Sequence, residues 1–290
     1  MIDKPGGMTS HDVVNRLRKI TGERSIGHLG TLDPMATGVL PLLMGKYTRL
    51  AQFFSAAEKS YSGAIRCGFA TDTYDADGEP AGPDRWPEVA QTITLERVRA
   101  AAARFHGEME QMPPQYSAKK IDGQPAYKLA REGKPVELKP AKIHIHKFEI
   151  VALEGAGANF IIDISSGGYV RSVAHELGAG LGCGAHLSQL RRTRAGTFTL
   201  EDAHTLEELE TLAGKGALET ICVHPRTLLP EMPSVTADTT ALGRLRNGAQ
   251  ANLPEFSTAP LVKVFAGPRD LAGIAKRVAG TLFQPVLVMG

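Results

Sequence analysis

The chain has 290 residues, of which 42% are hydrophobic and 22% charged, with a formal net charge of +2. That is the composition of an ordinary globular protein, long enough for one large domain or two, and its charge neither demands nor excludes nucleic acid. Cys67, Cys183 and Cys222 are odd in number and form no C-x-x-C, which argues against a disulfide framework or a zinc ribbon. With no signal peptide and no apolar run long enough to span a bilayer, a reducing, cytoplasmic location is expected.

Residues 3–8 read as a strand end and a turn. Thr9 and Asp12 fit a capping box. A helix should follow, with Val13, Val14, Leu17 and Ile20 on its buried face and Gly22 as its stop. Next comes the stretch from Gly27 to Leu40, Gly-His-Leu-Gly-Thr-Leu-Asp-Pro-Met-Ala-Thr-Gly-Val-Leu. Pro34 biases Asp33 away from the α region, so Asp33 should sit extended on a polar loop beside a buried element. Taken alone, Asp-Pro is a common turn starter.

Lys46 to Ala57 reads as a helix and Lys59 to Phe69 as a strand. The acidic run Thr71-Asp72-Thr73-Tyr74-Asp75-Ala76-Asp77-Gly78 lacks the spacing and terminal glutamate of a calcium loop and reads as a turn. Thr94 to His106 is helical, and a short helix is expected around Ala126 to Arg131. His144 and His146 alternate on a strand and face one side; without a third ligand they make a poor metal site. A β-rich run from Asn159 to Ser166 leads to Gly167-Gly168-Tyr169-Val170-Arg171, then to a helix over 172–178. His175-Glu176 is not a zinc helix motif, since Ala179 stands where the second histidine belongs. Thr205 to Leu218 is helical. From about Glu231 the texture becomes short, turn-rich and strand-like, apart from a helix over Ala241 to Asn247.

The 27–40 stretch resembles the signature loop of the TruB family of tRNA pseudouridine synthases, G-H-x-G-T/A-L-D-P-x-A-T-G-x-L, at every fixed position. Further resemblance lies in Asp3-Lys4-Pro5, Lys59-x-Tyr61, the 71–78 block, Tyr169-Val170-Arg171 and residues 184–193. It runs from Asp3 to about Pro230 and more weakly beyond. Relatives carry a lead-in strand before Asp3-Lys4-Pro5, so a shortened first strand is expected here.

The resemblance implies an α/β fold of the α+β type, with a mixed, largely antiparallel central sheet. A catalytic domain would span 1–230, with a tRNA-binding insertion at about 108–142. A small β-rich PUA-like domain would span 231–290, with a plain structural cap as the other reading. The implied function is isomerisation of uridine 55 in the T-loop of tRNA, by a likely-monomeric enzyme in the sense of its relatives, with no cofactor, metal, membrane or obligate protein partner.

By the same resemblance Asp33 is the catalytic aspartate and Arg171 its partner, while Tyr61 lies against the target base. His28 adjoins the flipped-out nucleotide, Lys4 supports the site wall, and Lys59 belongs to the tyrosine motif. Lys119, Tyr127, Lys128 and Arg131 on the insertion, with Arg191 and Arg192, are expected to meet the tRNA backbone. Lys139-Pro140-Ala141-Lys142 stands where relatives commonly have arginines. An apolar wall from Val39–Leu43 or Leu177 would retain the detached uracil. The reaction needs one ionised carboxylate beneath the ribose, as nucleophile or as base. A nearby arginine should lower its pKa, and burial should oppose that. The competing class is a non-catalytic RNA-binding protein on the same scaffold.

Overall fold

The computed structural model describes residues 1–117, 120–121, 124–125 and 138–289. The expected helix around Ala126 to Arg131, and with it Lys119, Tyr127, Lys128 and Arg131, lies outside the described residues. The chain divides into two compact units. One comprises Met1–Leu17, His28–Leu42 and Phe54–Glu208; the other comprises Arg18–Gly27, Leu43–Phe53 and Leu209–Gly290. By compactness the second unit therefore begins at Leu209, against the expected start at Glu231, and takes in two earlier segments.

The first unit is built on an eight-stranded sheet among the described residues. In spatial order its strands are Ile2–Lys4, Thr37–Leu40, Ala185–Ala195, Lys59–Cys67, Gly157–Ile164, Ala141–Glu154 and Gly107–Gln111, with Phe198–Thr199 paired to Ala185–Ala195. Only the Thr37–Leu40 and Ala185–Ala195 pair runs parallel; the rest are antiparallel. The sheet is thus mixed and largely antiparallel. The short first strand pairs Ile2 with Leu40 and Lys4 with Gly38.

Alternation explains why these segments are strands. Along Gly157–Ile164 every second residue is buried, namely Ala158, Phe160, Ile162 and Ile164, as one core-facing side of a pleat requires. Gly107–Gln111 and the start of Ala141–Glu154 pair from Gly107 with Ile145 to Gln111 with Ala141. Both ends of the expected insertion are therefore sheet.

The helix Ser10–Thr21 buries Val13, Val14 and Leu17. Its start is closed as expected, Thr9 N and Asp12 N each reaching the other residue's side chain at 2.9 and 3.0 Å. Gly22 ends it with φ of 72°. The helix Val170–Leu181 buries Val173, Ala174 and Leu177.

In the second unit Ser234–Thr236, Leu261–Ala266, Asp270–Ala279, Leu282–Val288 and Ala251–Asn252 form a five-stranded sheet in that order. The helix Thr239–Arg246 contributes Ala241 and Leu245 to a core shared with Val262, Val264 and Phe283. The expected helix over 46–57 is a 3-10 helix, Gly45–Phe53.

Candidate active site

The loop that carries Asp33 is held at four points. Ser10 Oγ accepts from Leu32 N at 2.8 Å and faces Leu32 O at 3.1 Å. Pro34 O accepts from Gly7 N at 2.9 Å and from Lys4 Nζ at 3.2 Å. Arg192 donates to Gly30 O at 3.1 Å and Val39 O at 2.7 Å, on either side of the loop. Ala36 N closes a turn onto Asp33 O at 3.1 Å. Gly38 has φ of 101°, and a Cβ there would collide with the Arg192 carbonyl. The signature glycine thus lets the loop's exit strand pair with the Arg192 strand.

Arg171 meets this loop from the start of its helix. Buried Gln111 fixes that start, accepting from Tyr169 N at 2.8 Å and donating to Tyr169 O at 3.1 Å. The guanidinium faces both Asp33 oxygens, Nε to Oδ2 at 3.0 Å and Nη2 to Oδ1 at 3.2 Å. Nη1 lies 3.3 Å from Asp75 Oδ2 and 3.1 Å from Thr73 O, and Nη2 donates to Tyr116 O at 2.8 Å. A planar fork surrounded by five oxygens has little freedom to turn. The Arg171 side chain is only 6% exposed, whereas Asp33 keeps 32%.

Burial pushes the Asp33 carboxyl above its usual 3.8; Arg171 pulls it back, and Asp75 and Asp77 push it further up. The expected lowering by arginine is present, but desolvation outweighs it. Lys4 is fully buried, with its ammonium donating to Pro5 O at 2.8 Å, Met8 O at 2.6 Å and Pro34 O. Burial brings its pKa down to about 8, with Asp33 resisting.

Asp33 and Arg171 open onto a cleft of about 800 Å³ that Tyr61, His28 and Leu190 also line. Tyr61 is buried in the strand Lys59–Cys67, directly opposite Arg192. Burial raises its pKa, with Arg192 opposing. His28 is held toward the neutral form by burial, then by Arg192 and His11. Lys59 Nζ turns back to Ala57 O at 2.7 Å.

Three expectations are corrected. Leu177 is fully buried in the helix core and, like Val39 and Leu40, does not line the cleft; Leu32, Val170 and Leu190 supply the apolar wall. Arg192 is fully buried beneath the loop, so it braces the protein and cannot meet a phosphate. Arg191 is committed to Asp3 by two bonds of 3.0 and 2.7 Å.

Asp75 was legible only as part of a turn, yet it is a 4% exposed carboxylate on Arg171. Its loop docks on the sheet, with Leu187 N donating to Tyr74 O and Ala76 N to Leu187 O. Its inclusion in the 71–78 motif was the available signal. His144 and His146 stack at 4.2 Å, and His146 pairs with Glu58 at 2.8 Å. Among the described residues no group of three or more His, Cys, Asp or Glu is arranged to hold a metal. No described helix is long and apolar enough to cross a membrane.

Residues 18–170 match the family model for the N-terminal domain of TruB family pseudouridylate synthases, and residues 171–230 that for the C-terminal domain of tRNA pseudouridylate synthase B. The chain is 45% identical over 292 residues to the tRNA pseudouridine synthase B of Solibacter usitatus (strain Ellin6076), covering 100% of this chain and 98% of that relative. It is 40% identical over 301 residues to the namesake of Arthrobacter sp. (strain FB24), covering 99% and 95%. Among solved structures, an H/ACA ribonucleoprotein bound to a substrate RNA containing 2′-deoxyuridine aligns at a TM-score of 0.71 and 23% identity, covering 100% of this chain and 84% of that one. A Cbf5–Nop10–Gar1 complex aligns at 0.71 and 24%, covering 100% and 82%. At that identity the likeness is one of fold.

Proposed function

Since the chain belongs to the TruB family of pseudouridylate synthases and isomerises uridine to pseudouridine in tRNA, we propose that its target is uridine 55 of the T-loop and that Asp33 acts on the ribose of that nucleotide after it has flipped into the cleft. The observation that carries this reading is the Arg171 grip on a carboxylate that still opens to the cleft.

The isomerisation exchanges an N1–C1′ bond for a C5–C1′ bond and conserves atoms. Asp33 as carboxylate either attacks C1′ or takes a proton from C2′; one group in one position serves both routes. Arg171 keeps the carboxylate ionised against the burial that would protonate it, and turns its oxygens toward the sugar. The detached uracil must rotate without leaving. Tyr61 and Leu190 on the cleft wall supply a stacking face and an apolar stop; such stacking is worth about 1–3 kcal/mol per base. Flipping the base costs a few kcal/mol, and a neutral His28 at the cleft is suited to fill the gap in the stack.

Within this reading the T-arm of tRNA is the partner, held by basic residues of the insertion such as Lys119, Tyr127 and Arg131. The protein works as a cytoplasmic monomer. The second unit serves as a small RNA-binding domain beside a catalytic domain. Mapping pseudouridine on an unmodified tRNA transcript after incubation with the enzyme tests the site. Modification at position 55 supports the assignment, and modification at another uridine alone removes it.

A further inference from the structure

Tyr74 stands at the crest of the acidic turn with φ of 67°, in the left-handed region that bulky side chains rarely enter. Its ring lies flat on the His175 imidazole, with centroids 3.8 Å apart and planes 18° from parallel. His175 follows Arg171 by four residues on the helix Val170–Leu181, so both project from one face.

The two residues flanking Tyr74 are those that hold Arg171 Nη1, Thr73 through its carbonyl and Asp75 through Oδ2. Thr73 Oγ1 also donates to Asp75 Oδ1 at 2.6 Å, so the turn moves as one piece. The imidazole Nδ1 is buried without a hydrogen-bond partner, which leaves ring contact as what that side of His175 offers. Burial also holds the ring toward its neutral form, the form that lies on a phenol without desolvating a charge.

We propose that the Tyr74–His175 stack is a clasp that keeps the 73–75 turn in its left-handed shape, aims Thr73 and Asp75 at Arg171, and so fixes the guanidinium that orients Asp33. Both are positioning residues, and the proposal rests on the reading of Asp33 and Arg171 as the catalytic pair. It explains a left-handed tyrosine where a glycine would meet no backbone penalty. Glycine would satisfy the dihedral and lose the ring.

The test is steady-state kinetics on an unmodified tRNA transcript, with thermal unfolding of each variant. Tyr74→Gly and His175→Ala should each lower kcat about tenfold and leave KM within about twofold, the size expected for one aromatic contact. Because both remove the same contact, the double variant should be no worse than the poorer single. Tyr74→Phe and His175→Phe keep a ring on each side and should stay within about twofold of the parent. They also keep the proposal open to refutation should His175→Ala fold poorly. Unchanged kcat in Tyr74→Gly and His175→Ala, or losses that multiply in the double, would overturn the clasp. Asp33→Asn in the same assay separates the two levels. Turnover surviving there sinks the catalytic reading, whereas a dead Asp33→Asn beside a fully active Tyr74→Gly sinks the clasp alone.

Discussion

Arg171 holds Asp33 through two nitrogens, at 3.0 and 3.2 Å, across 138 positions of sequence, and holds Asp75 with the third. One guanidinium thus serves an open carboxylate and a closed one. The open carboxylate is free to work because the closed one keeps the arginine in place.

Asp33→Asn should abolish tritium release from a 5-labelled uridine transcript and leave tRNA affinity nearly intact. It should also leave the fold as stable or more stable at neutral pH. The folded carboxyl titrates above its usual 3.8, so the folded state binds the proton more tightly than the unfolded one. The ionised side chain therefore opposes folding above the folded pKa, and that opposition fades as pH falls through it. Thermal unfolding of both proteins from neutral to acid pH should show the variant's advantage shrinking.

Arg171→Lys preserves the charge and discards the fork. It should reduce kcat by at least about tenfold with a smaller change in tRNA affinity, because a lysine cannot face both Asp33 oxygens and Asp75 together. Arg171→Ala should also destabilise the protein by about 3–5 kcal/mol, since it leaves the closed Asp75 carboxylate unpaired. Kinetics with chemical denaturation measure both; a loss confined to affinity would reduce Arg171 to a phosphate contact.

Lys4 gives the alkaline limb. Its ammonium, with a pKa of about 8, braces the Pro34 carbonyl next to Asp33. As pH rises past that value the ammonium loses a proton and one of its three donors, so kcat should fall with an apparent pKa near 8. The stability effect has the opposite sign. The folded pKa lies below the usual 10.5, so burying the charged form opposes folding most at neutral pH, and that opposition eases between about pH 8 and the unfolded value. Lys4→Arg, which does not deprotonate, should lose the alkaline limb; a limb that persists belongs to another group.

Arg192→Ala should leave the salt dependence of tRNA binding unchanged, where loss of a true phosphate contact would reduce the slope by about one. It should instead destabilise the fold by about 2–5 kcal/mol, because the Gly30 and Val39 carbonyls lose their buried donor. Titrations at several salt concentrations, set against unfolding curves, decide between the two roles.

The sequence pattern carried the Asp33 loop, the Arg171 pairing, the capped first helix and the mixed sheet, because each is written in local spacing or in a long motif. It did not carry the inside and outside of single side chains. Arg191 and Arg192 read alike as basic residues, yet neighbours on a strand face opposite sides, so at most one of the two had access to an RNA face. That parity was available in the sequence. Asp75 was harder to see, because its burial depends on a turn docking against Leu187, more than a hundred residues away. Leu177 failed for a related reason: helical spacing gives the apolar face but not which cavity, if any, that face meets.

The parallel contact that sets Gly38 against Arg192 has a consequence for synthesis of the chain. The aspartate loop emerges early from the ribosome, but the strand that braces it follows 153 residues later. Pairing over such a separation forms late in folding. The nascent protein is therefore inert toward RNA chemistry until most of it has been made, and catalytic competence reports completion of the sheet.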